Sequence, residues 1–88
     1  MMFKRAESGI ILNRKEFTFC LIGLVDRLKL GDADSFTKIK HNYRDDKEEY
    51  PWLVMLGTLE VETQSIKDAI DAVSAFWRLM ALSKGVGL

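Results

Sequence analysis

The segment from about Thr63 to Lys84 constrains this chain most. Ile66, Ala69, Ile70, Val73, Phe76, Trp77 and Met80 recur at spacings of three and four, the period of an amphipathic helix. Ser65 followed by Asp68 supplies a start signal, with Thr63 as a competing cap. Gly85 follows where a left-handed stop is wanted, and Lys84 sits favourably at the negative end of the helix dipole. The charged side, Lys67, Asp68, Asp71 and Arg78, is narrow. At about 100° per residue, the apolar arc, including Ala72 and Leu79, spans roughly 200°. One packed neighbour covers little more than half of that. The remainder must be wrapped by the same domain, by a second copy or by a foreign protein.

A second helix is expected at about residues 13–30. Asn13 can cap it, and Glu16 sits where its carboxylate can return the bond to the cap's own N–H. Phe17, Cys20, Leu21, Leu24, Val25 and Leu28 continue at helical spacing, with Gly31 beyond. The run Phe17–Val25 is also rich in β-favouring residues and holds Gly23, so a strand competes there. Cap, period and stop together favour the helix. The middle of the chain reads as a short antiparallel hairpin, about 36–44 and 50–57. In its first arm Ile39 and Tyr43 face inward, while Lys38, Lys40, Asn42 and Arg44 face out. Pro51 opens the second arm, where a missing N–H matters least. The expected class is therefore α+β, two long helices (about 13–30 and 63–84) with one short hairpin. Phe36, Ile39 and Tyr43 also fit a helix beginning at Ser35, and with it an all-α alternative.

Eighty-eight residues are expected to form a single domain, 1–88. At this size folding buries only roughly two thirds of the chain's surface. A composition that is 48% hydrophobic then carries an apolar surplus, which a homodimer would hide. Thirteen basic and thirteen acidic side chains cancel, and a general polyanion binder carries a clear positive excess instead. The charges are segregated, however. Residues 1–44 hold nine Lys or Arg against five Asp or Glu, and residues 45–88 hold four against eight. The opening residues lack the apolar stretch of a secretion signal. Phe17–Val25 is about half the length of a membrane span. A cytoplasmic protein without membrane attachment is the expectation.

Groups suited to chemistry are few. His41 is the single histidine and Cys20 the single cysteine. Cys20 lies on the apolar face of the first expected helix, where a thiol behaves as a small hydrophobe. Asp45, Asp46, Glu48 and Glu49 crowd four carboxylates together, but without the glycine and distal glutamate of a calcium loop. Gly85-Val86-Gly87 has no helix behind it and cannot cradle a phosphate. No catalytic residue, metal ligand or cofactor-binding residue is expected, and no enzyme activity.

The expected function is a small non-enzymatic interaction module of the inhibitor, immunity or adaptor kind. It would be homodimeric and act by occupying a surface of a protein partner. Phe76, Trp77 and Met80 are the expected contact residues on the broad helix, being types enriched at interfaces. The alternative is a nucleic-acid-associated accessory protein. There Lys38, Lys40 and Arg44 would touch phosphates, with Tyr43 or His41 stacking on bases.

Overall fold

The computed structural model describes residues 2–29, 36–42 and 48–83. Seven elements follow one another: β1 Met2–Arg5, β2 Ile11–Asn13, α1 Arg14–Lys29, β3 Thr37–His41, β4 Trp52–Leu56, β5 Leu59–Thr63 and α2 Ile66–Ser83. The five strands form one antiparallel sheet in the order β2-β1-β5-β4-β3. Both helices pack on the same face of it. α1 lies over β1 and β2, and α2 lies over β3, β4 and β5, with α1 alongside.

The α+β class stands, but two helices with a short hairpin does not, and neither does the all-α alternative. Three of the five strands, β1, β2 and β5, lie outside the expected hairpin. β5 carries the clearest overlooked signal. Leu59, Val61 and Thr63 turn inward while Glu60 and Glu62 turn out, a period of two. Leu56 pairs with Leu59, so only Gly57 and Thr58 connect β4 to β5. Gly57 has φ +62, the left-handed value that a two-residue type II′ hairpin demands at its first position. β1 and β2 are only four and three residues long, too short to show a period. Their connection is held by two bonds, from Arg5 N–H to the Ile10 carbonyl (2.8 Å) and from Gly9 N–H to the Arg5 carbonyl (2.8 Å).

Because β5 claims Thr63, α2 starts later than the sequence suggested. The Thr63 side chain is fully buried, and its hydroxyl donates to the Ser65 carbonyl at 2.9 Å. Ser65 is the cap, its Oγ accepting from Asp68 N–H at 3.1 Å. α1 begins as its sequence dictates. Asn13 Oδ1 accepts from Glu16 N–H, and Glu16 Oε1 accepts from Asn13 N–H, both at 2.9 Å. This reciprocal pair forces the β-rich run after it into a helix, since Asn13 also ends β2 and the chain turns there.

The core lies between helices and sheet. Phe3 stacks on Phe17 with ring centroids 4.0 Å apart, joining β1 to α1. Val54, Leu56 and Val61 from the central strands meet Leu21, Leu24, Ala72 and Phe76 from the helices. Ala69 and Ala72 let α2 approach the sheet closely. Among the described residues, no helix is long and apolar enough to cross a membrane.

Candidate functional site

The broad apolar arc of α2 divides into two flanks. Ala69, Ala72, Phe76 and Met80 point into the core, each no more than 5% exposed. Leu79 and Leu82 turn toward α1 and form a small hollow with Ile22 and Val25. The opposite flank carries Ile66, Ile70, Val73 and Trp77, spaced at i, i+4, i+7 and i+11. Val73 is half-buried, whereas Ile66, Ile70 and Trp77 remain 42%, 53% and 43% exposed. Full burial of such a side chain contributes roughly 1.5–3 kcal/mol, so each forgoes about 1 kcal/mol where it stands. Trp77 is held in place by an edge-on contact with Phe76, ring centroids 5.2 Å apart.

By helical spacing that flank is on the side of α2 opposite Leu79 and Leu82, which meet α1, and α2 itself reaches β3. β3 is an edge strand, paired with β4 alone among the described strands. The Phe36 carbonyl accepts from Gly57 N–H at 2.6 Å, and Asn42 N–H donates to the Pro51 carbonyl at 2.7 Å. Even-numbered residues therefore turn their backbone groups toward β4. By alternation, Thr37 and Ile39 turn theirs outward. Ile39 packs inward against the core, and His41 makes an edge-on contact with Trp52 at 4.5 Å.

The uncovered face of the sheet is charged. Lys38 and Lys40 stand exposed on β3, with the ring of Phe36 56% exposed just before them. The register runs Lys38, Met55, Glu60 in one row and Lys40, Leu53, Glu62 in the next. One strand thus separates each lysine from the nearest glutamate in its row, a gap of about 10 Å between strands. On the far side Lys4 pairs in register with Glu62, and its ammonium lies 5.9 Å from the ring of Tyr50.

A second concavity, roughly 490 Å³, opens where the turns before β2 and β5 meet the middle of α1. Arg5, Glu7, Arg27 and Cys20 line it, placing a carboxylate with two guanidiniums. Gly23 meets no heavy atom within 4 Å of an added Cβ, so its helix face is open there. His41 is on β3, far along the fold from Cys20 on α1. Among the described residues, no three His, Cys, Asp or Glu side chains gather as a metal site.

No family model, curated protein or solved structure matches this chain.

The structure therefore sorts the expected contact residues. Phe76 and Met80 are inside, while Trp77, one residue on from Phe76, is outside. Lys38 and Lys40 share one exposed strand face, and Arg44 lies outside the described residues, as do Tyr43, Asp45, Asp46, Lys84 and Gly85. Sequence reasoning missed Ile66 and Ile70 as surface residues, and Phe36. Periodicity does not separate Ile70 from Ala69, since both lie on the apolar arc. Only the position of the sheet decides which side is covered.

Proposed function

We propose that this chain is a non-enzymatic protein-interaction module of the inhibitor, immunity or adaptor kind, acting through the outer flank of α2. The supporting observation is the exposed line Ile66, Ile70 and Trp77 beside a half-buried Val73 along one side of α2. Solvent-exposed aliphatic and Trp side chains gathered on one rigid element suit a partner surface, because binding adds apolar burial without ordering a loop. Charge favours this over a nucleic-acid reading. Lys38 and Lys40 are only two positive charges on a chain whose net charge is zero, where a general polyanion binder carries a clear positive excess.

A second copy is the other occupant that the spacing suits. With two α2 helices antiparallel, Ile66 of one copy meets Trp77 of the other, and Ile70 meets Val73. A two-fold interface requires that reciprocity. Sedimentation equilibrium of wild type and Trp77→Lys decides between them. Concentration-dependent mass that Trp77→Lys abolishes makes the partner a second copy. A monomer that loses capture of its partner on the same change supports the heterologous module. Association unaffected by Trp77→Lys and Ile70→Lys together removes the flank from the function.

A further inference from the structure

We infer that the edge of β3 and the outer flank of α2 are two halves of one docking site, whose occupant is an extended segment of another protein with acidic residues at alternate positions. The inference rests on the interaction reading above and names its partner chemistry.

The backbone provides the first half. Thr37 and Ile39 turn their N–H and C=O groups to the outside of the sheet, where no described strand meets them. A strand laid there continues the ladder by hydrogen bonds that any sequence can make. Side chains of the added strand then alternate between two environments. Those on the helix side lie beside Ile39 and beneath the flank carrying Ile70, Val73 and Trp77, so they are apolar. Those on the open side lie beside Lys38 and Lys40, one strand spacing away, so they are acidic.

Charge excludes a second copy from this edge. If β3 pairs with itself about Ile39, Lys38 faces Lys40 of the other copy, twice over, with no carboxylate between them. Lysines on edge strands commonly serve to block such self-pairing. Here the block is selective, because the same two lysines attract a strand bearing glutamates. β5 already shows the complementary pattern within this sheet, Glu60 and Glu62 out and Leu59, Val61 and Thr63 in. β4 separates those glutamates from the lysines, and on the outer side of β3 there is no described strand.

The probe is a blocked peptide of about seven residues alternating Val and Glu, a length that spans an edge strand of this kind. Its controls are the same peptide with Lys for Glu, and the acidic peptide N-methylated on alternate amides. The acidic peptide is expected to slow amide exchange at Thr37 and Ile39. It should bind about tenfold more tightly than the lysine peptide, from two cross-strand charge pairs made attractive rather than repulsive. Lys38→Glu/Lys40→Glu should reverse the preference, and N-methylation should abolish binding. Equal affinity for the two charged peptides overturns the inference, as does binding without protection of those two amides. No binding at millimolar peptide overturns it too. So does a single-stranded oligonucleotide that displaces the peptide and leaves both amides exchanging freely, since the lysines would then belong to phosphates. Trp77→Lys separates the two proposals. Partner capture that needs Trp77 but ignores Lys38→Glu/Lys40→Glu rejects the strand and keeps the interaction module. Capture that ignores Trp77 and both lysines rejects the module itself.

Discussion

The two flanks of α2 are built from the same kinds of residue and do different things. The inner flank, Ala69, Ala72, Phe76 and Met80, is sealed against the sheet. The outer flank, Ile66, Ile70 and Trp77, meets solvent across nearly half its surface. Hydropathy does not distinguish them. Size does so in part, because small residues at positions 69 and 72 allow close approach, while bulky residues at 66 and 70 stand off. The lesson is that an apolar arc wider than one core requires is surface held in reserve, and the sheet's position decides which part is reserved.

Substitutions can break or sharpen that contrast. Phe76→Ala removes a fully buried ring at the centre of the core and should cost about 3–5 kcal/mol, read as a lowered urea midpoint. Ala72→Leu tests the inner flank from the other direction. Three extra carbons there must push α2 off the sheet, with an expected loss of about 1–3 kcal/mol in the same assay. Ser65→Ala removes the acceptor of the Asp68 N–H and weakens both flanks equally, by about 1 kcal/mol. Trp77→Ala should cost about 1 kcal/mol, far less than Phe76→Ala, because 43% of Trp77 already meets solvent whereas Phe76 is fully buried. A Trp77→Ala cost equal to that of Phe76→Ala would erase the distinction between the flanks.

Much of the helical half of the fold was legible. The Asn13–Glu16 reciprocal cap is written in the sequence and forms as written. So is the Ser65 cap, although the competing Thr63 belongs to β5 instead. The sheet was read incompletely for two separate reasons. β1 and β2 are too short for periodicity, and they exist because Phe3 and Leu12 find Phe17 and the core from a distance in sequence. β5 was legible in principle, since Gly57-Thr58 and the alternation after it are a hairpin signal. It was obscured by the stronger helix signal starting at the same threonine. The candidate site was half legible. Trp77, Lys38 and Lys40 were singled out by residue type. That β3 is an edge strand on the side of the outer α2 flank follows only from strand order, which no local pattern encodes.

The outer flank as a docking surface is tested most directly by collisional quenching of Trp77. Replacing Trp52 with Phe leaves Trp77 as the only indole. In dilute isolated chain, acrylamide should quench its emission freely, and bound partner or acidic strand peptide should shield it. Emission already shielded in the dilute monomer, and unchanged on binding, would contradict an outer flank that waits for a partner.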